Sequence, residues 1–111
     1  LAIAHMVFRE SPEKVFASSY MGETGVDEQT ALLLHYTDGA LANLSCAIQT
    51  NTTHEVRIYG TEGSIHIPNF WHATSAVLQL NNKNPLKISG ESNYGYEVSE
   101  VMSCIKTGKT E

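Results

Sequence analysis

Positive charge is scarce in this sequence. Its 111 residues include seven Lys and Arg against twelve Asp and Glu, and the formal net charge is -5. A nucleic-acid surface needs clustered Lys and Arg side chains to neutralise phosphates, whereas Lys83 and Lys87 are the densest pair here. We therefore expect no nucleic-acid partner.

Long apolar runs and closely spaced cysteines are also missing. No stretch approaches the roughly 20 apolar residues of a membrane-spanning helix, and no basic segment leads into an export signal. We therefore predict a cytoplasmic protein without a membrane partner. The two cysteines, Cys46 and Cys104, are far apart and lack Cys-x-x-Cys spacing, which favours reduced, buried thiols over a disulfide or a metal site.

The sequence contains none of the common motifs of catalysis and cofactor binding. It has no Gly-x-Gly-x-x-Gly, Walker or Gly-x-Ser-x-Gly motif, and Gly60 and Gly63 flank a hairpin turn rather than a phosphate loop. No histidine pair has the i, i+4 spacing of a helical metal site; the histidines are His5, His35, His54, His66 and His72. We therefore assign no catalytic, cofactor-binding or metal-binding residue to this sequence.

Hydrophobic periodicity predicts a helix, a series of strands and a second helix. The first helix covers residues 1–8, and the break at Pro12 follows it. Strands are predicted at residues 14–21, 28–37, 41–49, 53–59, 64–68, 73–80 and 86–89, and the second helix at residues 96–106. Asp38-Gly39 predicts a type I′ hairpin turn, because both residues tolerate positive φ. The first helix has no capping residue before it and residues 108–111 resemble a loop, so we expect a single domain, residues 1–111, excised from a longer protein.

The two faces of the predicted sheet differ in polarity. Residues 28–37 are apolar on both faces, which is typical of a central strand. The strand at residues 41–49 has one apolar face, with Ala42, Leu44, Cys46 and Ile48, and one semi-polar face, with Asn43, Ser45, Ala47 and Gln49. This pattern predicts an α+β fold, with a large, mostly antiparallel β-sheet, helices on one face and the other face open. Such a face is commonly covered by a symmetry mate, so we expect a homodimer through the open sheet face.

An aromatic pair between two predicted strands is the strongest candidate for a ligand site. Phe70 and Trp71 offer a wall for a flat or apolar ligand. The alternative is a loop that folds onto its own core. Tyr94 and Tyr96, before the last helix, form a weaker candidate, for which packing against the sheet is the favoured interpretation.

Five short motifs follow one another along the chain. They are Gly25-Val26-Asp27-Glu28-Gln29-Thr30, Tyr36-Thr37-Asp38-Gly39-Ala40, Gly60-Thr61-Glu62-Gly63-Ser64-Ile65, Pro68-Asn69-Phe70-Trp71, and Tyr96-Glu97 with Cys104-Ile105-Lys106-Thr107-Gly108-Lys109. In this order, the sequence resembles the C-terminal domain of the Gfo/Idh/MocA (glucose-fructose oxidoreductase and inositol dehydrogenase) family over essentially its whole length. The last two motifs are similar to those of the dimeric dihydrodiol dehydrogenase-like branch.

The resemblance implies the substrate and oligomerisation domain of an NAD(P)-dependent dehydrogenase. In such an enzyme an N-terminal Rossmann domain, absent from these residues, holds NAD or NADP, so the fragment would bind no cofactor and be inactive alone. The parent enzyme would move a hydride from the carbinol carbon of a sugar, polyol or cyclic diol to nicotinamide.

The resemblance carries over to one wall of the substrate pocket and to no catalytic residue. The family's catalytic lysine lies in a Glu-Lys-Pro motif, whereas Glu13-Lys14 is followed by Val15, and His5 lies beyond the position of the catalytic His or Tyr. By position, Trp71, with Phe70 beside it, is similar to the aromatic wall next to the substrate in this branch. The expected partner of that wall is a small-molecule substrate.

Two other classes of function remain open at this point. One is a stand-alone β-rich module that dimerises through its semi-polar face. The other is a small-ligand binder of the same sheet type without a redox role. The sequence therefore leaves open whether the chain takes part in an enzyme.

Overall fold

The chain forms two compact units of antiparallel strands. The computed structural model describes residues 1–91 and 94–109, so residues 110 and 111 of the predicted terminal loop lie outside the described residues. The units are Leu1–Thr52 and Thr53–Glu111. The α+β class and the antiparallel pairing are confirmed, while the described strands form two sheets, of three and four strands, where the sequence predicted one. The polar residues 49–53 lie outside any strand, so β pairing does not continue across them.

The first unit is one helix and a three-stranded sheet. Its elements are α1 (Ala2–Phe8), β1 (Lys14–Met21), β2 (Asp27–His35) and β3 (Leu41–Ala47). The strand order β1-β2-β3 confirms the predicted central strand. On its semi-polar face β2 is open in the single chain, where Leu33 is 38% exposed.

The core of the first unit is built around one aromatic contact. Leu34 and Tyr36 are 4% and 1% exposed. The ring of Phe8, the last residue of α1, stacks on Tyr36 with a centroid distance of 4.0 Å. One end of this sheet face is therefore sealed by a ring from the helix.

The β2–β3 hairpin is a three-residue loop and not the predicted type I′ turn. The N–H of Gly39 donates to the carbonyl oxygen of Tyr36 at 3.0 Å, and the Tyr36 N–H donates to Ala40 at 3.0 Å. Gly39 has a φ of +86°, whereas Asp38 does not adopt a positive φ. The Asp38 carboxylate instead accepts a hydrogen bond from the Ala40 N–H at 2.9 Å. A turn followed by a left-handed glycine is the next most common hairpin connection after the two-residue turns.

The second unit is a four-stranded meander followed by a helix. Its elements are β4 (Glu55–Gly60), β5 (Gly63–Pro68), β6 (Ser75–Leu80), β7 (Leu86–Ser89) and α2 (Gly95–Thr107). The strand order is β4-β5-β6-β7. The register places nine aliphatic side chains on one face: Val56, Ile58, Ile65, Ile67, Ala76, Leu78, Leu80, Leu86 and Ile88.

The second helix has the predicted position. Gly108, with a φ of +68°, caps it as predicted. Its apolar side chains are all more than half exposed: Val98, Val101, Met102 and Ile105. Among the described residues no helix is long and apolar enough to cross a membrane.

Both cysteines are free, as predicted, but neither is buried. Cys46 is exposed and Cys104 is half-buried. Cys46 pairs with Thr30, at the end of the first sheet opposite to Tyr36. The Phe8 contact therefore does not cover it.

Candidate functional site

The candidate site begins where the β4–β5 hairpin ends. The two strands pair from Gly60 with Gly63 to Glu55 with Pro68, so the next residues outward are His54 and Asn69. Pro68 has no N–H to continue the ladder. The Phe70 N–H donates to the carbonyl oxygen of His54 at 3.0 Å, which ties the two chain ends together.

A single 3-10 turn, Phe70–His72, presents the aromatic pair. Asn69 enters it with a left-handed φ of 47°. The His72 N–H closes the turn by donating to the carbonyl oxygen of Asn69 at 2.9 Å. Left-handed geometry is tolerated by Asn better than by most residues, so the Pro68-Asn69 sequence accounts for the chain leaving the sheet here.

The Trp71 indole contacts two other rings and is still largely exposed to solvent. The His54 imidazole lies parallel to it, with a centroid distance of 4.8 Å and an interplanar angle of 5°. Phe70 meets the indole edge-on at 6.0 Å and 82°. Trp71 is 64% exposed, whereas Phe70 is half-buried. The loop therefore does not fold onto a core at Trp71, and Phe70 supports the indole.

These residues border a small open cleft. Its volume is about 290 Å³, and it is lined by His54, Asn69, Trp71 and His72. That size is close to the lower end of ligand pockets. The lining offers one aromatic surface, two imidazoles and one carboxamide, so it can stack against a ring and exchange hydrogen bonds with hydroxyl groups.

The two predicted tyrosines have different positions. Tyr94 meets the His72 ring edge-on at 6.0 Å and 87°, which brings it next to the cleft. Tyr96 is 73% exposed on α2, so its predicted packing against the sheet is wrong.

Sequence analysis missed His54 and His72 as site residues. The hairpin register was the available signal for His54. Residues counted outward from the Gly60–Gly63 turn place His54 opposite Asn69. His72 directly follows the predicted aromatic pair.

A cluster of ionisable residues lies on the face of the same hairpin that is opposite to its aliphatic side chains. Glu55 Oε1 accepts from Arg57 Nε at 3.1 Å, and Glu55 Oε2 lies 2.7 Å from His66 Nε2. The Arg57 guanidinium, and then His66, hold the pKa of Glu55 below its ordinary value, while Glu55 raises the pKa of Arg57. Both carboxylate oxygens are thus engaged, and within residues 1–91 and 94–109 no three metal-binding side chains lie together.

Comparison with known proteins finds one family of C-terminal domains and several oxidoreductases that this chain resembles. The family model for the GFO/IDH/MocA C-terminal domain matches residues 1–66. The trans-1,2-dihydrobenzene-1,2-diol dehydrogenase of Xenopus laevis is 34% identical over 96% of the chain and 35% of the relative. The enzyme of the same name from Mus musculus is 30% identical over 96% of the chain and 34% of the relative.

A bacterial relative is also named an oxidoreductase. An uncharacterised oxidoreductase of Rhizobium meliloti is 37% identical over 67% of the chain and 22% of the relative. The chain spans about a third of the length of the dihydrodiol dehydrogenases that it matches.

Proposed function

This chain belongs to the GFO/IDH/MocA C-terminal domain family, in its dihydrodiol dehydrogenase-like branch, and we propose that it is the substrate-side domain of an NAD(P)-dependent dehydrogenase. Residues 1–111 would form that domain, and the enzyme would act on a sugar, a polyol or a cyclic diol. Dehydrogenase relatives at 34% and 30% identity support the oxidoreductase role.

The described residues do not fit a nicotinamide dinucleotide. The usual cradle for its pyrophosphate is a parallel strand-helix-strand unit with a glycine-rich turn, whereas every strand pair here is antiparallel. In this proposal a nucleotide-binding domain outside these residues would hold the cofactor and carry out the hydride transfer.

The open indole of Trp71 carries the proposal for this chain. Trp71 is 64% exposed at the edge of a cleft whose other lining residues are polar and uncharged when the imidazoles are neutral. An aromatic surface beside hydrogen-bonding groups suits a ring that carries hydroxyls. Trp71, supported by Phe70, would orient such a substrate and exclude water from one side of it.

A chimera tests the proposal. The matching third of the Xenopus laevis dehydrogenase is replaced by this chain, and oxidation of trans-1,2-dihydrobenzene-1,2-diol is followed through NADH or NADPH formation. We expect turnover by the chimera and none by the chain alone. Trp71→Ala should raise KM by about twofold to tenfold, because one aromatic contact with the substrate is lost.

Tyr59→Ala is the matched control, since Tyr59 is an aromatic residue 74% exposed on the same hairpin but away from the cleft. It should leave KM unchanged. A folded chimera that oxidises no diol, sugar or polyol contradicts the proposal, and an unchanged KM for Trp71→Ala contradicts the role of the wall.

We also propose that a second copy of the chain covers the semi-polar face of the first sheet. In the ladder Ala31 pairs with Ser18 and Ser45, and all three small residues are exposed. Phe16, 57% exposed, and Leu33 lie beside them on this face. Small side chains allow two sheets to approach closely, and the apolar residues would gain from burial.

Light scattering across a dilution series tests this contact. We expect a dimer that persists into the low micromolar range. Ala31→Arg should yield monomers, while Thr24→Arg, in the exposed β1–β2 turn, should not. A monomer at every concentration of the unmodified chain would rule out the homodimer.

A ligand-binding module without a redox role is the second candidate. The observation in its favour is that the cleft is lined entirely by residues of the second unit. Binding of a diol by the chain, together with an inactive but folded chimera, would select this alternative.

A further inference from the structure

We propose that His54 is a positioning residue that fixes the Trp71 indole at the edge of the cleft that they share. This inference rests on the proposed substrate-wall function. It adds a residue that no motif indicated.

The backbone of His54 is hydrogen-bonded to the 3-10 turn that carries Trp71. Its carbonyl oxygen accepts the hydrogen bond from the Phe70 N–H at 3.0 Å, inside the turn that carries Trp71. Its register position opposite Asn69 follows from the β4–β5 ladder. The backbone segments that carry the imidazole and the indole are therefore fixed relative to each other.

The side-chain contact is a nearly parallel stack. The rings lie 4.8 Å apart at 5°, which is within the range of favourable aromatic pairs. Because Trp71 is 64% exposed, few other contacts restrict its side chain to one rotamer. His54 covers one face of the indole, and the remaining surface is left for a ligand.

Trp71 is the only tryptophan in the chain, so its fluorescence reports on this site alone. Acrylamide quenching should be about twofold stronger in His54→Ala, because a stacked partner shields one of the two faces of the indole. His54→Phe keeps a ring and should quench like the unmodified chain. His54→Gln fills the position without a ring and should behave like His54→Ala.

The comparison of His54→Phe with His54→Gln keeps the test independent of a destabilising cavity. His5→Ala, which removes an exposed histidine from α1, is the control and should change nothing. Equal quenching in His54→Phe, His54→Gln and the unmodified chain would overturn the positioning role.

Titration with trans-cyclohexane-1,2-diol tests whether the stack contributes to ligand binding. We expect the diol to change Trp71 emission. His54→Gln should weaken diol binding by about twofold to tenfold, and His54→Phe should restore most of it. Equally tight diol binding by His54→Gln, His54→Phe and the unmodified chain would overturn the positioning role.

The two proposals fail in different ways. An inactive chimera with normal diol binding and normal sensitivity to His54 removes the redox function and leaves the inference intact. If the chimera is active and His54→Gln changes neither its KM nor the quenching of Trp71, the inference is removed and the function stands.

Discussion

The two sheets of this chain differ in how they bury their apolar faces. In the first sheet Leu34 and Tyr36 are 4% and 1% exposed, and a single ring from α1 stacks on Tyr36. The second sheet has nine aliphatic residues on one face, yet no described residue of its unit reaches comparable burial. Aliphatic content alone therefore does not make a sealed core, because the face must also receive a packing partner.

The candidate functional groups lie in the unit that is packed less tightly. The Trp71 cleft and the Glu55 cluster both belong to the second unit. The first unit carries the tightest packing, and the second presents open side chains that a ligand can reach. Residues that bind ligands commonly lie in such open positions on a sheet scaffold.

The largest expected effect comes from removing the aromatic contact of the first unit. Tyr36→Ala should lower the free energy of unfolding by about 3–5 kcal/mol, as for other buried aromatics. Ile65→Ala, in the half-buried face of the second sheet, should cost less than about 2 kcal/mol. Urea unfolding gives the totals, and amide hydrogen exchange assigns each loss to a unit.

Tyr59→Ala serves as the control for Tyr36→Ala, since Tyr59 is 74% exposed, and it should stay within about 0.5 kcal/mol. The contrast between the sheets breaks down if Ile65→Ala costs as much as Tyr36→Ala.

A smaller effect is expected from the close approach of two strands in the second sheet. A Cβ at Gly63 would overlap the carbonyl oxygen of Gln79 and lie 2.9 Å from Leu80 Cα. Gly63→Ala should therefore cost about 1–3 kcal/mol, because β5 and β6 must separate. Thermal unfolding measures the loss.

Gly60 is the matched control in the same hairpin. The nearest atom to its Cβ would be the Gly63 carbonyl oxygen at 3.7 Å, an ordinary contact. Equal stability losses in Gly60→Ala and Gly63→Ala would show that chain flexibility, and not strand spacing, sets the cost.

The smallest expected effect concerns pH and the charged pairs of the two units. The pKa of Glu55 lies below its ordinary 4.5, chiefly through the hydrogen bond from Arg57 and then that from His66. Its contribution to stability is therefore complete above that ordinary value and is lost as pH falls through the lowered pKa. Glu55→Gln should flatten the fall in Tm between about pH 5 and about pH 3.

Glu13→Gln is the comparison from the first unit, where the Glu13 carboxylate stands 3.7 Å from His35 Nδ1. If Glu13→Gln flattens the slope and Glu55→Gln does not, the pair in the first unit governs acid stability.

Strand positions were predictable where proline and glycine mark both ends. The strands at residues 14–21 and 86–89 coincide with β1 and β7, which follow Pro12 and Pro85 and precede Gly22 and Gly90. The strand predicted at residues 28–37 extends too far, since β2 ends at His35. The turn there uses three residues, and only Gly39 has a positive φ.

The site was predictable in part for a related reason. Trp71 is visible in the sequence, because an aromatic pair directly after a strand-ending proline stands out. His54 is not visible, since it meets Trp71 only through the β4–β5 register. Sequence patterns record neighbours along the chain, whereas register brings together residues that are far apart in it.

The sequence by itself determined the order of helices and strands, their antiparallel pairing and the family. These depend on alternation, turn residues and short motifs, all of which act between near neighbours. Only the tertiary structure decided that the strands divide into two sheets, that Cys46 is exposed and that His54 stacks on Trp71. Each of these depends on which distant side chains pack together, and packing is a property of the assembled fold.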